Sequence, residues 1–189
     1  MASRPDWDAY FFGIAFMVAQ RSLDPHTKHG TLLLDRNNHI IATGYNSFPR
    51  DMNDDLLPTN RPYPEKPDEL NKYDFMEGCH SERNALANCV MSPWLIQGGA
   101  IAYITGMPCN SCLMALWQSN VTEVKYAKRK GTSLESERSD RVREHFLNQI
   151  RMDFTEYDID LTWTLDATCE IRNFGFLKTE FESRTYRST

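Results

Sequence analysis

Two short segments combine the residue types that hold and use a catalytic metal ion. His80 is followed two positions later by Glu82, and Pro108 precedes Cys109 and Cys112, which are spaced as Cys-x-x-Cys. One imidazole and two thiolates give Zn²⁺ three protein ligands and leave the fourth tetrahedral position open to water, as catalytic zinc sites require. Glu82 can approach that water without binding the metal, so it is the predicted proton shuttle.

Each half of this pattern has a simpler interpretation. A lone Cys-x-x-Cys is often half of a structural zinc site or a redox pair, and His-x-Glu occurs by chance in helices. A structural site needs a fourth ligand, and the other cysteines, Cys79, Cys89 and Cys169, are poorly placed to supply one. A thioredoxin-like pair would follow the first strand of a βαβ unit, without His-x-Glu upstream. The joint pattern favours a catalytic zinc.

The composition limits the partners and the location. The chain has 189 residues, with 21 Lys or Arg and 26 Asp or Glu, so its formal net charge is −5. We expect a single domain over residues 1–189. A nucleic acid polymer is not expected, because its binding usually needs a basic footprint, and the one dense basic run, 125–130, is interpreted as a solvated strand end. The lack of a leader or membrane span and the odd number of cysteines predict a cytoplasmic protein without a membrane partner.

Helices and short strands alternate along the predicted chain. Asp6 caps a first helix that the Asp24-Pro25 pair is expected to end. Strands are predicted at 31–34, 40–45, 100–105 and 121–127, and helices at 80–91, 109–120 and 136–150. The last helix should bury Val142, Phe146, Leu147 and Ile150. This alternation predicts an α/β domain with a central sheet covered on both faces.

Two segments show no clear periodicity of apolar residues. Residues 47–75 contain five prolines, and a structureless stretch of this length is usually a lid or a binding loop. Residues 151–189 form a C-terminal extension of unclear role, with strand-like alternation at Ile159, Leu161, Trp163 and Leu165. By contrast, both metal-binding segments open predicted helices, whose dipoles favour thiolates at Cys109 and Cys112 and an ionised Glu82.

Several motifs resemble the deoxycytidylate deaminase family, within the cytidine deaminase superfamily. His-x-Glu followed by Pro-Cys-x-x-Cys is the signature of zinc nucleobase deaminases. The other matching segments lie in the family's order and at about its spacing: Trp7-Asp8-Ala9-Tyr10, Ala19-Gln20-Arg21-Ser22, Thr43-Gly44-Tyr45-Asn46, Asp54-Asp55-Leu56-Leu57-Pro58 and Cys79 to Ala85. The resemblance implies a cytidine deaminase-like fold, a mixed five-stranded sheet flanked by helices.

The resemblance also implies an activity. It is the zinc-dependent hydrolytic deamination of dCMP to dUMP with release of ammonia, which supplies dUMP for thymidylate synthesis. Glu82 would be catalytic and one zinc per chain would be bound by His80, Cys109 and Cys112. Asn46 would contact the sugar hydroxyl, although an asparagine there could equally cap a strand end or a turn. Lys72, Tyr73 and Ser81 are further candidates for substrate binding.

Members of the family are typically oligomers, often hexamers, that dCTP activates and dTTP inhibits. The candidate residues for a regulatory triphosphate with its Mg²⁺ are Arg21, Ser22, Lys28, Asn46, Arg50 and Asp55. Arg21 and Ser22 could instead merely finish the first helix. Residues 47–75 are the candidate moving element.

The chain also departs from the family pattern. His29-Gly30-Thr31 replaces the common Val-Gly-Ala, Ser81 and Arg83 replace an alanine and an apolar residue, and Arg129-Lys130-Gly131 stands where many members have a tyrosine of the nucleotide pocket. These departures leave the catalytic set unchanged and affect the expected substrate contacts. A free-nucleoside deaminase, a tRNA or RNA-editing deaminase and a non-catalytic zinc module are the alternatives, because they share the motif or the metal.

Overall fold

A mixed five-stranded sheet forms the centre of the protein. The computed structural model describes residues 5–128 and 136–159. The strands are β1 (Gly30–Leu34), β2 (Ile40–Tyr45), β3 (Ala100–Ile104), β4 (Val121–Ala127) and β5 (Asp153–Tyr157). They lie in the order β2-β1-β3-β4-β5, with β1 antiparallel to β2 and β3, and with β3, β4 and β5 mutually parallel. The predicted mixed sheet is confirmed.

Helices cover both faces of this sheet, as predicted. They are α1 (Trp7–Ala19), the single turn α2 (Tyr73–Met76), α3 (Ser81–Ala87), α4 (Asn110–Gln118) and α5 (Glu137–Leu147). Side chains alternate across a strand, so β1 contributes to two cores. Leu32 and Leu34 pack with α1, while Leu33 faces the core formed with α3, α4 and α5. No helix in the described ranges is long and apolar enough to cross a membrane.

Two glycines let helices approach the sheet closely. A Cβ added to Gly44 of β2 would lie 2.2 Å from the backbone nitrogen of Ala85 and 2.2 Å from the carbonyl oxygen of Ser81, both in α3. A Cβ on Gly30 of β1 would lie 2.1 Å from the carbonyl oxygen of Ala15 in α1. Contacts this short are impossible for any side chain, so Gly44 fixes how close the metal-binding end of α3 comes to the sheet.

All four predicted helices end earlier than predicted, with α4 ending at Gln118 and α5 at Leu147, and hydrogen bonds explain the ends of α1 and α3. α1 begins where Asp6 caps it, accepting a hydrogen bond from the Ala9 nitrogen at 2.7 Å, but it ends at Ala19 rather than at Asp24-Pro25. The reason is a side-chain turn, in which the Ser22 hydroxyl accepts from the Asp24 nitrogen at 3.2 Å. α3 ends at Ala87 rather than near residue 91. The side-chain amide of the next residue, Asn88, donates to the Thr43 carbonyl at 3.0 Å and attaches this end of the helix to β2.

Other expectations also need correction. Val142 is 39% exposed, and the buried position of α5 is its neighbour Arg143, although Phe146 and Leu147 do pack against the core. The segment 47–75 is not without structure, because it contains a 3-10 turn at Asp54–Leu56 and most of α2. The final strand β5 lies before the predicted alternation at 159–165, most of which falls outside the described residues, as do 129–131.

Candidate zinc site and active-site cavity

The three predicted metal ligands lie together at the starts of two helices. His80 immediately precedes α3, Cys109 immediately precedes α4, and Cys112 lies in the first turn of α4. His80 Nδ1 is 3.5 Å from each sulfur, and the three ligand atoms all lie within 4.8 Å of one another. Within the described ranges no other His, Cys, Asp or Glu joins this group. One nitrogen and two sulfur donors fit Zn²⁺ and leave a tetrahedral position for water.

Hydrogen bonds around the sulfur atoms separate their proton affinities. The hydrogen bond from the Cys112 thiol lowers the pKa of Cys109 to about 3, with help from His80 and from Ser111, whose hydroxyl is 3.3 Å away. The same bond with Cys109, together with burial, raises the pKa of Cys112. The interaction with Cys109 raises the pKa of His80. A divalent cation bound here would favour thiolate at both cysteines, so metal binding should release protons.

Glu82 lies in the first turn of α3, next to the ligands but outside their group. Its side chain is buried, with 6% of the residue exposed, and burial raises its pKa. The Ser81 hydroxyl is 3.1 Å from Glu82 Oε2 and 2.8 Å from the Thr31 hydroxyl. Thr31 and Ser81 are two departures from the family pattern, and they are partners in the structure. A buried carboxylate oriented in this way is well suited to accept and return a proton.

A cavity of about 440 Å³ opens onto these groups. Its walls include His80, Cys109 and Glu82. All four predicted substrate-binding residues also line it, namely Asn46, Lys72, Tyr73 and Ser81. The sequence reasoning missed other lining residues, notably Asp24, Thr27, Arg61 and Glu156. Asp24 and Thr27 lie between α1 and β1, Arg61 lies between β2 and α2, and Glu156 lies in β5, so no single local motif could have identified all four.

Lys72 forms a buried ion pair in the wall of this cavity. The residue is 1% exposed, and its Nζ lies 2.5 Å from Asp24 Oδ2. Burial raises the pKa of Asp24, but the hydrogen bond from Lys72 and those from the backbone of His26 and Thr27 outweigh it, so the pKa is lowered. The Lys72 ammonium is therefore paired with Asp24. This ion pair connects the long segment 47–75 to the turn after α1.

Asn46 holds the backbone that enters β1. Its Oδ1 accepts from the His29 nitrogen at 2.7 Å and its Nδ2 donates to the Thr27 carbonyl at 2.9 Å. Asn46 therefore has the structural role that was the alternative to substrate binding, and the residue also lines the cavity. Asn46 shapes the wall formed by residues 27–29.

A second cavity, of about 510 Å³, is lined by only some of the predicted regulatory residues. Arg21 and Arg50 line it, together with Asp51, Asp54 and Asn84. The remaining predicted members do not line it. Asn46 lines the first cavity, and Ser22 is buried and accepts a hydrogen bond from the Asp24 backbone nitrogen. Lys28 Nζ lies 3.5 Å from the Gln20 carbonyl, and Asp55 is exposed but is not among the residues that line either cavity. The six residues therefore do not all line one cavity. The carboxylates at this cavity are those of Asp51 and Asp54, which the sequence reasoning missed.

The chain belongs to the family defined by the cytidine and deoxycytidylate deaminase zinc-binding region. The model of that family matches residues 5–128, which contain both metal-binding segments and β1 to β4. The sheet order and the His-Cys-Cys group described above agree with this membership.

Deoxycytidylate deaminases are among the relatives in sequence. The mouse protein (Mus musculus) is 35% identical over 125 residues, which cover 66% of this chain and 66% of that protein. The protein of Mycobacterium phage D29 is 33% identical over 129 residues, covering 67% of this chain and 98% of its own length. The crystal structure of dCMP deaminase from the cyanophage S-TIM5 in complex with dCMP and dUMP has a TM-score of 0.55 at 21% identity, covering 82% of this chain and all of that one. This likeness confirms the fold.

Proposed function

We propose that the protein deaminates dCMP hydrolytically to dUMP and ammonia, with one Zn²⁺ bound by His80, Cys109 and Cys112. The observation that carries the proposal is the position of Glu82, buried in the wall of the same cavity as His80 and Cys109, two members of the three-ligand group. The deoxycytidylate deaminases among its relatives support this substrate.

The protein's own residues would perform the proton transfers. Zinc bound by the three ligands would make water acidic enough to supply hydroxide at neutral pH. Glu82 accepts the proton of the water that attacks C4 of cytosine and delivers it to N3. It then takes the proton of the resulting C4 hydroxyl and transfers it to the exocyclic amine, which leaves as ammonia, while the C4 oxygen becomes the carbonyl of dUMP. Ser81 holds Glu82 Oε2 in place during these transfers.

Two alternatives, a nucleoside deaminase and a tRNA or RNA-editing deaminase, differ in substrate rather than in chemistry, and the third is a non-catalytic zinc module. The net charge of −5 gives no support to a tRNA or RNA substrate, which usually needs a basic surface. Ammonia release should be measured side by side from dCMP, deoxycytidine, dCTP and cytidine. A higher specificity constant for dCMP supports the proposal. Equal values for dCMP and deoxycytidine would indicate a nucleoside deaminase, and no turnover in zinc-loaded protein would indicate a non-catalytic zinc module.

We also propose that the second cavity binds the regulatory nucleotides. Arg21 and Arg50 supply cations for a triphosphate, and Asp51 and Asp54 supply oxygen ligands for its Mg²⁺. The cavity is also lined by Cys79 and Asn84, which flank His80 and Glu82 in the chain. Asn84 Nδ2 donates to the carbonyls of Tyr45 and Cys79 at 2.7 and 3.0 Å, so a nucleotide here could shift the start of α3. This segment joins residues 47–75 as a candidate moving element.

The regulatory proposal has a direct kinetic test. Initial rates against dCMP should be sigmoidal, and dCTP with Mg²⁺ should make the curve hyperbolic while dTTP depresses it. Arg21→Ala and Arg50→Ala should flatten both responses and leave zinc content unchanged. An identical hyperbola with and without either effector would refute the regulation.

The remaining parts of the functional proposal concern assembly and location. We propose a homo-oligomer, and the family resemblance favours a hexamer. Exposed apolar side chains between α3 and β3, among them Val90, 95% exposed, with Trp94 and Leu95, support association but do not select a subunit number. The cytoplasmic location and the supply of dUMP for thymidylate synthesis stay predictions. Light scattering at several protein concentrations would measure the assembly.

A further inference from the structure

The active-site cavity has an uneven distribution of charge. Two Lys or Arg side chains of the described residues line it, Lys72 and Arg61. Lys72 is buried and paired with Asp24 at 2.5 Å. Glu82 and Glu156 add carboxylates to the same walls. A nucleotide that carries a phosphate must therefore find its attraction elsewhere than at Lys72.

Arg61 is available for such a contact. It lies in the segment between β2 and α3, is solvent-exposed, and is in no ion pair with a residue of the described ranges. Its Nη2 makes one long hydrogen bond, 3.4 Å to the Thr27 hydroxyl, which places the guanidinium against the turn that Asp24 and Asn46 hold. A planar guanidinium can give two parallel hydrogen bonds to a phosphate.

The depth of the groups in the cavity sets the orientation of the nucleotide. Glu82 is the buried lining residue that transfers protons in the proposed reaction, so the base must reach it to react. Arg61 is exposed at the rim, where a charged phosphate keeps part of its hydration and avoids the cost of full burial. Base at the inner end and phosphate at the rim is thus the arrangement that this distribution of side chains favours.

We propose that Arg61 binds the 5′-phosphate of the substrate and so determines the preference for a nucleotide over a nucleoside. This inference rests on the proposed function, since it assigns the phosphate contact of the same site. Thr27 then orients Arg61, and the Asp24–Lys72 pair holds Thr27 in position.

The test compares Arg61→Ala with the matched control Lys66→Ala. Lys66 lies in the same segment, is exposed and pairs with Glu69 at 3.0 Å, so its removal also deletes one positive charge but leaves the cavity intact. We expect Arg61→Ala to lower kcat/KM for dCMP by about 10- to 100-fold, the usual effect of losing charge-assisted hydrogen bonds. The kcat/KM for deoxycytidine and the zinc content of the protein should not change. Arg61→Lys should be intermediate, and Lys66→Ala should behave as the wild type.

A binding measurement completes the test without turnover. Calorimetry should show that Arg61→Ala weakens the binding of dUMP but not the binding of deoxyuridine. If the wild type prefers dCMP and Arg61→Ala keeps that preference, the assignment of Arg61 is wrong while the proposed function stands. Equal losses for dCMP and deoxycytidine would show a merely structural role. If the wild type does not distinguish nucleotide from nucleoside in rate or binding, both proposals are wrong.

Discussion

Replacing Lys72 by methionine should destabilise the protein substantially. The substitution keeps the length of the side chain and removes the ammonium that lies 2.5 Å from Asp24 Oδ2. Asp24 is 4% exposed and would be left as a buried carboxylate without its cation. Removing one partner of a buried ion pair typically costs about 3 to 5 kcal/mol. Here Oδ1 keeps its bonds from His26 and Thr27, at 2.8 and 3.1 Å, so we expect about 3 kcal/mol.

Equilibrium urea unfolding of zinc-loaded protein at pH 7 measures this cost. The double variant Lys72→Met with Asp24→Asn removes both charges, so it should be less destabilised than the sum of the two single variants. The reasoning is refuted if Lys72→Met costs less than about 1 kcal/mol or if the two single effects simply add. A raised KM for dCMP without loss of stability would instead indicate that Lys72 binds the substrate.

The pH dependence supplies a second check on the same pair. The pKa of Asp24 lies below its ordinary value of 3.8 in the folded protein, so the stabilisation is fully present above 3.8 and is lost as pH falls through the lowered folded pKa. Lys72→Met removes the main hydrogen bond that lowers this pKa. The difference in stability between wild type and variant should therefore shrink as the pH falls below about 4.

Further predictions address catalysis and fold. Glu82→Gln should keep the fold and the zinc, because Glu82 is outside the ligand group, and should lower kcat by at least about 10²- to 10⁴-fold; Glu156→Gln, in the same cavity, is the control, and loss of zinc from Glu82→Gln would contradict the assignment. Gly44→Ala should reduce both thermal stability and zinc affinity, because a Cβ there meets α3 at 2.2 Å; normal zinc affinity with normal stability would contradict the close approach. Thr31→Ala with Ser81→Ala should show non-additive effects on stability, because the two hydroxyls are 2.8 Å apart, whereas strictly additive effects would mean that they are not coupled.

The sequence alone determined which residues form the candidate metal site, and it determined most of the sheet. His80, Cys109 and Cys112 stand at the starts of two helices, so local spacing and the family resemblance were enough to place them together. Alternating and apolar runs predicted β1 to β4, because strands that are buried on one or both faces have a recognisable local pattern of apolar residues. β5 was missed as an element since its exposed and half-buried residues show little apolar periodicity.

Tertiary structure alone decided how the polar residues around the cavity are used. Lys72 was predicted to contact substrate, which stays a prediction; the fold places it in the cavity wall and also pairs it with Asp24, which is distant in the chain. The regulatory candidates were grouped by sequence proximity, and the fold separates Arg21 and Arg50 from Asn46. Val142 matched the apolar stripe of α5, yet its neighbour Arg143 is the buried residue. Burial and pairing depend on which distant segment covers a side chain, and local periodicity carries no information about that segment.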